Sequence, residues 1–219
     1  PVNSFINIFG LAAAIGFSIF FYAFVVYTFK RDQFHENKDV VFLSTFTASR
    51  EGALRQYGLS PRPLGELLKQ DFPQVTHVCR IEDLNVIVKH GDNIFNERIR
   101  FVDPTFLDMF TFPLKWGVSA SLSDVSSIVI SEPMAEKYFG DENPIGQSLL
   151  VKFSAENGKE FKITGVAQKF PSSRGFDFHF LVNIENLRTA QPGFDSHDWS
   201  AFHRATFVQV AKPSDIKMV

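Results

Sequence analysis

The apolar positions of this chain are concentrated in one unbroken run near its N-terminus, residues 5–29, FINIFGLAAAIGFSIFFYAFVVYTF, which holds no charged side chain. Phe, Ile, Val and Ala fill every face of a helix with 3.6 residues per turn, whereas a helix in a soluble core usually keeps a polar face. At about 1.5 Å per residue, the run spans slightly more than the roughly 30 Å of hydrocarbon in a bilayer. The pattern predicts a transmembrane helix, bounded at residues 1–30.

Two other structures could produce a run of this kind. A signal peptide usually has an apolar core of about 7 to 15 residues followed by a small-residue cleavage site, whereas this run is longer and ends in YTFKR. A core helix of a soluble domain would need more surrounding chain than 219 residues supply. The membrane span is therefore the favoured interpretation.

Small residues recur at four-residue spacing within the run, at Gly10, Ala14 and Ser18. This spacing lines one helix face with small side chains, which lets a second transmembrane helix approach closely. Membrane helices are rich in small residues in any case, so the spacing could also be without a packing role. We predict a packing face here and assign Tyr22 and Tyr27 to the membrane interface.

After residue 30 the pattern changes to short apolar or alternating stretches separated by turn residues. Alternation with a period of two, rich in β-branched and aromatic residues, is typical of strands. Turn residues at 91–93 and 157–158 predict two β-hairpins. The predicted strands cover residues 39–47, 75–81, 84–88, 94–102, 127–130, 149–153, 161–163, 177–184 and 205–210.

A helix is predicted to open at Ser60 and Pro61, because proline is favoured at the first helical position, and to stop at Pro73. Apolar residues at i, i+3, i+4 and i+8 give this helix one buried face. The residues of that face are Leu64, Leu67, Leu68 and Phe72.

Two shorter helices are predicted from their capping residues. Asp103 and Pro104 supply an N-cap and first residue for TFLDMF, and Ser131 supplies an N-cap for EPMAEKYF, which Gly140 follows. A further helix is predicted to start at residue 212. The part of the chain at 31–219 is therefore expected to have an α+β fold with more strand than helix.

Composition narrows the function classes. A net charge of −2 and the absence of a basic patch argue against nucleic acid as a partner. The chain has 26 Phe, which we assign partly to the span and partly to a Phe-rich domain core. Cys79 is the one cysteine, so it has no intrachain disulfide partner, and we interpret it as a buried, inert thiol.

Motifs that would indicate catalysis are missing from the sequence. It contains no GxxxxGK[ST] loop, no HExxH, no CxxC and no GxSxG, and no two histidines have the helical spacing of a metal site. His197, Asp198 and His203 form the one local cluster, which we interpret as a polar loop. We predict no catalytic residue, no metal site and no cofactor.

Several of these stretches resemble the extracytoplasmic core domain of MacB-type and FtsX-like ABC transporter permeases. The segment SDVSSIVISEPMAEKYFGDENPIGQSL at 123–149 carries the strongest resemblance, through its order of strand, capped helix, aromatic-Gly and acidic-x-Pro-Ile-Gly. FVDPTFLDMFTFPL at 101–114 and FKITGVAQKFP at 161–171 resemble the segments on either side. NIFGLAAAIGF and DQFHEN resemble the first span and its exit, although RDQFHENKDVVFLS departs from the usual tyrosine- and arginine-rich exit.

The resemblance implies a first transmembrane helix, an extracytoplasmic domain, three further helices beyond a C-terminally incomplete domain, and a separate cytoplasmic ATPase subunit. It implies a permease in the cell inner membrane with the chain after about Lys30 in the periplasm. The charge rule alone points the other way, because Lys30 and Arg31 follow the span. A second permease half or homodimer partner, membrane lipid, and a periplasmic or outer-membrane partner are the other expected contacts.

We hypothesise that the domain transmits an ATP-driven conformational change through the short link RDQFHENK, in export or in lipoprotein or peptide handling across the cell envelope. The alternative is a single-pass, membrane-anchored binding or adaptor module without an ATPase. A membrane-tethered enzyme is a third possibility, but it would need a cleft of convergent titratable groups, for which the sequence supplies no motif.

Overall fold

The apolar run forms helix α1, Val2–Phe29, in the computed structural model, which describes residues 2–29, 34–50, 52–170 and 176–219. Within α1, the stretch Asn7–Thr28 has a mean hydropathy of 2.2, and none of it is buried inside the protein. A helix of this length with apolar side chains on all faces needs an apolar surrounding. The predicted apolar helix is confirmed, while Pro1 and Lys30, the ends of its predicted range, lie outside the described residues.

A strand-rich domain follows α1 and confirms the predicted α+β fold. Its helices are α2 Leu64–Asp71, α3 Phe106–Met109, α4 Glu132–Phe139 and α5 Leu187–Ala190. Its strands are β1 Val41–Leu43, β2 Phe46–Arg50, β3 Ala53–Tyr57, β4 Ser60–Pro61, β5 Val75–His90, β6 Asn93–Val102, β7 Leu114–Gly117, β8 Ser127–Ser131, β9 Ser148–Lys152, β10 Gly158–Ala167, β11 Phe180–Asn183, β12 Phe202–His203 and β13 Ala205–Val210.

Nine of the described strands form one sheet in the order β1, β13, β5, β6, β11, β8, β10, β7, with β9 hydrogen-bonded to both β10 and β5. Because β9 joins β10 to β5, the strands β5, β6, β11, β8, β10 and β9 form a closed ring of neighbours. The β10–β8 and β11–β6 pairs are parallel, and the other pairs are antiparallel. Two small ladders, β2 with β3 and β4 with β12, lie outside this sheet.

The core lies on both sides of the central strands β8 and β11, all of whose residues are buried. In β8, Ile128 and Ile130 pack into one apolar cluster and Val129 into the other. In β11, Phe180 and Leu181 divide in the same way. Strands covered on both faces are apolar at successive positions, which explains why these segments lack a polar–apolar alternation.

The two predicted hairpins are confirmed, with one change in their strands. The predicted strands 75–81 and 84–88 are parts of a single strand, β5, which pairs with β13 along its first half and with β6 and β9 along its second. The backbone at Glu82 and Asp83 continues the ladder opposite Phe101 and Arg100. The polar residues 82–83 suggested a break between two strands, but the strand continues through them because its pairing with β6 is uninterrupted.

Two predictions for residues 39–61 were wrong. The strand predicted at 39–47 is divided into β1 and β2. The Ser44 N–H still donates to the Thr206 carbonyl oxygen at 2.8 Å, and the chain then leaves the main sheet, so that β2 pairs with β3 instead. The helix predicted to open at Ser60 and Pro61 begins at Leu64 instead. Ser60 and Pro61 form β4, which pairs with β12.

The capping predictions have mixed outcomes. Thr105, not Asp103, occupies the N-cap position of α3. Ser131 lies at the N-cap of α4 as predicted, although its side chain makes no capping hydrogen bond, and Gly140 follows α4 with φ of 64°. The strand predicted at 177–184 is limited to β11, and the helix predicted from residue 212 is a 3-10 helix, Pro213–Met218.

Asp103 is instead the main partner of the buried Arg80. Its carboxylate accepts from Arg80 Nε at 3.0 Å and Nη2 at 2.8 Å, while Arg80 Nη1 donates to Glu66 on α2 at 2.7 Å. Burial acts to lower the pKa of Arg80, but the hydrogen bond and charge of Asp103, together with the charges of Glu66 and Glu185, raise that pKa overall. The ion pairs fix α2 and the segment before α3 to the same strand, β5. The neighbouring Cys79 is fully buried as predicted, and burial raises the pKa of its thiol.

Candidate functional site

The described part of the connection between α1 and the sheet, Phe34–Lys38, is docked on the domain, and we call it the link. His35 in its middle is only 5% exposed. The His35 ring lies edge-on to Phe110, Phe112 and Phe176, with ring centroids 5.5, 5.3 and 5.1 Å away. Edge-on packing of this kind adds directional attraction to the burial of apolar area. The remainder of the predicted connection, residues 31–33, lies outside the described residues.

Hydrogen bonds fix the register of the link against the segment that follows α3. The Thr111 N–H donates to His35 Nδ1 at 3.1 Å, and the Glu36 N–H donates to Thr111 Oγ1 at 2.9 Å. Both distances are normal for N–H donors. Because one residue of the domain contacts two successive residues of the link, a shift of one position would break both bonds.

Asn37 connects the link to α3 and to β1 at the same time. Its side-chain amide donates to the carbonyl oxygens of Asp108 and Met109 at 3.1 and 3.2 Å. Carbonyl groups at the C-terminal end of a helix have no helical partner and need one from elsewhere. The Asn37 carbonyl oxygen accepts from the Val40 and Val41 N–H groups, which turns the chain into β1.

Strand β1 then carries the connection into the main sheet. It pairs with β13, and the Val210 N–H donates to the Val40 carbonyl oxygen at 3.0 Å. Strand β13 pairs in turn with β5, a member of the closed ring. A continuous hydrogen-bonded path therefore runs from the link through β1 and β13 to the ring.

Aromatic rings surround the link and continue into the core. Successive rings among them have centroids 4.0 to 6.1 Å apart. Phe106, Phe110, Phe112 and Phe178 of this group are buried in the same apolar cluster as Cys79. We define the aromatic cluster as Phe34, His35, Phe106, Phe110, Phe112, Phe170, Phe176, Phe178 and Phe207.

A cavity of about 260 Å³ lies between the link, β1 and the aromatic cluster. We call it the junction cavity. Most of its wall is apolar, and Lys38 is the charged residue among those that line it. The lining residues are His35, Asn37, Lys38, Val41, Leu43, Met109, Phe110, Phe176 and Phe207.

The predicted packing face on α1 is separate from this junction. Gly10, Ala14 and Ser18 are exposed along the helix, and the Ser18 hydroxyl donates to the Ala14 carbonyl oxygen at 2.8 Å. A Cβ added at Gly10 would meet no atom within 4 Å. The face is open to a neighbour, and its packing role stays a prediction.

The residues weighed for metal chemistry do not come together. Among the described residues, no group of three His, Cys, Asp or Glu side chains is close enough to hold a metal ion. Asp198 accepts from the backbone and hydroxyl of Ser200 at 2.8 and 2.6 Å, as in a polar turn, and these hydrogen bonds lower its pKa. His203 is buried in β12, with Nδ1 3.8 Å from Glu82.

Sequence reasoning selected the link but not the residues that hold it. Thr111, Phe110 and Phe176 are 72 to 142 positions away from the link along the chain, so no local pattern joins them to it. The signal that could have found them is the density of Phe in FLDMFTFPL, which exceeds what one short helix can bury.

These features define an α+β domain that follows an apolar helix long enough to cross a membrane, with the link between them docked on the domain. Residues 4–219 match the family described as the MacB-like periplasmic core domain, and the chain belongs to that family. It is therefore a MacB-like periplasmic core domain of an ABC-type permease, preceded by an apolar helix. Domains of this family are permease parts and are not themselves catalytic.

Solved structures share the fold at low sequence identity. A domain assigned to a permease protein from Porphyromonas gingivalis is 20% identical, with a TM-score of 0.62 over 80% of this chain and 75% of that one. The periplasmic region of MacB from Actinobacillus actinomycetemcomitans is 13% identical, with a TM-score of 0.57 over 80% and 78%. The extracellular domain of the ABC-type transporter YknZ from Gram-positive bacteria is 17% identical, with a TM-score of 0.52 over 80% and 88%. No curated protein sequence matches the chain.

Proposed function

We propose that this chain belongs to a permease subunit in the cell inner membrane and that its domain, at about residues 31–219, lies in the periplasm. ATP hydrolysis by a cytoplasmic ATPase subunit moves α1, and the domain passes that movement to export or to lipoprotein or peptide handling across the envelope. The observation that supports this role is the docked link. Family membership supports the ATPase partner and the membrane location.

A docked link transmits movement because it leaves little slack. His35 follows the last residue of α1, Phe29, by only six residues, and its ring is already fixed in the aromatic cluster. A flexible connection would absorb a helix displacement, whereas a short one held at several points passes it on. The path through β1 and β13 then distributes the displacement over the strands of the main sheet.

Added slack is expected to uncouple the domain while the ATPase keeps working. In the intact transporter, purified with its ATPase subunit, Gly-Ser-Gly inserted between Gln33 and Phe34 leaves the docked link itself unchanged. Trapping with ATP and vanadate is expected to alter hydrogen exchange in the segment 106–112 and in β13 of the wild type. The insertion is expected to abolish that change and to preserve ATP hydrolysis.

The matched control is the same Gly-Ser-Gly insertion in the β5–β6 turn, between Gly91 and Asp92. That turn is exposed and lies outside the path from α1 to the sheet. The control variant is expected to keep both ATP hydrolysis and the exchange difference. A link insertion that still shows the full ATP-dependent difference in exchange would contradict the coupling role.

We also propose that Gly10, Ala14 and Ser18 pack against a second permease half or a second copy of this chain. Gly10→Ile is expected to weaken association of the full chain in lipid vesicles by about tenfold or more, because close backbone approach is lost. Gly16→Ile is the matched control, since Gly16 is equally open and lies on the opposite side of α1. Energy transfer between labelled copies measures the association, and equal weakening by both variants would reject the face.

A further inference from the structure

The junction cavity has the composition of a site for an apolar ligand. Val41, Leu43, Met109, Phe110 and Phe207 supply most of its wall. Two of its polar residues are already engaged with the protein. The side-chain amide of Asn37 donates to the carbonyl oxygens at the end of α3. The Nδ1 atom of His35 accepts from a backbone N–H. A polar ligand would therefore find few partners, whereas an alkyl chain would bury apolar area against the wall of the cavity.

The position of the cavity restricts where its ligand comes from. His35 in the cavity wall lies six positions after Phe29, the last residue of α1. A fully extended chain of that length reaches at most about 20 Å. The cavity therefore lies within about one leaflet thickness of the end of the membrane helix. The bilayer is the nearest large source of alkyl chains.

The cavity also carries one positive charge at its rim. Lys38 is exposed to solvent and lines the cavity next to the link. A lysine close to a membrane surface attracts anionic lipid headgroups. A volume of about 260 Å³ lies below that of a typical drug-sized site, so it suits part of a single alkyl chain and not a folded peptide.

From these observations we propose that the junction cavity binds one acyl chain of an anionic membrane phospholipid, with the phosphate group near Lys38. The chain fills the apolar space between the link and β13, and the headgroup stays at the membrane surface. The proposal goes beyond the coupling role and does not depend on it, because lipid can occupy the cavity whether or not the domain moves.

The test uses the full chain in lipid nanodiscs that contain a phosphatidylglycerol probe with a photoreactive group at the end of one acyl chain. After irradiation, peptides are identified by mass spectrometry. The wild type is expected to be labelled at Met109, Phe110 or Phe207, in addition to α1. Labelling confined to α1 would reject the site, because α1 contacts the bilayer in any case.

Leu43→Trp is designed to fill the cavity from its rim. It is expected to reduce cavity labelling by about tenfold or more, because several buried methylene groups are displaced. Leu54→Trp is the matched control, since Leu54 is 78% exposed on the β2–β3 hairpin, outside the cavity lining. A thermal unfolding curve checks that each variant folds. Undiminished labelling of a folded Leu43→Trp variant would overturn the proposal.

Lys38→Gln tests the contribution of the headgroup to binding separately from that of the alkyl chain. In the wild type, the phosphatidylglycerol probe is expected to label the cavity about fivefold more than the matching phosphatidylcholine probe, and Lys38→Gln is expected to remove that preference. Lys152→Gln, an exposed lysine on β9, is the control and is expected to retain it. Equal labelling of the wild type by both probes would contradict the preference for an anionic headgroup. Full competition by a free fatty acid but not by phosphatidylglycerol would contradict the assignment of a phospholipid as the ligand.

Discussion

Replacing Arg80 with alanine is expected to lower the free energy of unfolding by about 3–5 kcal/mol, because it leaves a buried carboxylate without its counter-charge. The Arg80 side chain is 11% exposed, and that of Asp103 is 12% exposed. Their two side-chain hydrogen bonds, at 3.0 and 2.8 Å, have the bidentate geometry that makes such pairs strong. The loss of Arg80 also frees α2, whose Glu66 binds the same guanidinium.

Arg188→Ala is the matched control for this prediction. Arg188 is 57% exposed and pairs with Glu185 at 3.2 Å on the surface. Surface pairs of this kind contribute about 0–1 kcal/mol. Denaturant unfolding of the full chain in detergent, followed by tryptophan fluorescence, measures both variants. A loss for Arg80→Ala no larger than that for Arg188→Ala would contradict the prediction.

A double variant, Arg80→Met with Asp103→Asn, identifies the cause of the instability. Replacing both partners removes the uncompensated charge as well as the attraction. The double variant is therefore expected to be more stable than Arg80→Met alone. If it were no more stable than Arg80→Met alone, the uncompensated charge of Asp103 would not be the cause and the charge argument would be wrong.

Gly117→Ala is expected to lower the free energy of unfolding by about 3 kcal/mol, the sum of backbone strain and a steric clash. Gly117 ends β7 with φ of 94°, a conformation that residues with a Cβ rarely adopt. Its added Cβ would overlap the Thr164 carbonyl oxygen and lie 2.7 Å from the Cα of Gly165 on β10. Because both neighbours are backbone atoms, relief requires that β7 move away from the sheet.

Gly193→Ala separates strain from clash. Gly193 has φ of 83°, but a Cβ there would meet no atom within 4 Å. Gly193→Ala is expected to lower the free energy of unfolding by only about 1 kcal/mol, from the backbone conformation alone. The same unfolding measurement compares the two variants. Equal losses of stability would contradict the clash, because β7 and β10 would then accommodate the added Cβ without cost.

Features that depend on neighbouring residues were predicted well from the sequence. The uncharged run forms α1, and a helix that is apolar on all sides needs an apolar surrounding. The β5–β6 hairpin follows from Gly91 and Asp92 between two alternating stretches. Gly140 follows α4 with a positive φ, where a residue without a Cβ is favoured.

The wrong predictions occur where a distant partner outweighs a local preference. Asp103 before Pro104 has the local form of a helix cap, a role that contributes about 1 kcal/mol. Its carboxylate binds Arg80 instead, 23 positions earlier and across the β5–β6 ladder. Ser60 has the local form of a helix start, but it pairs with β12, and its hydroxyl donates a hydrogen bond to Thr206 Oγ1 at 2.5 Å.

The candidate site was predicted only in part for the same reason. The short link follows from its place between the apolar run and the first strand. Its contacts with Thr111 and Phe176 join residues that are far apart in the chain, and one sequence contains no information on which distant residues meet.

The sequence by itself determined that this chain holds an uncharged apolar helix long enough to cross a membrane and that a strand-rich domain follows it, because the length and apolarity of consecutive residues decide the first and their alternation decides the second. The family resemblance was visible for a related reason, since its motifs are local. Only the tertiary structure decided that the link is docked and that a cavity lies beside it, because both depend on side chains that folding brings together from four separate segments.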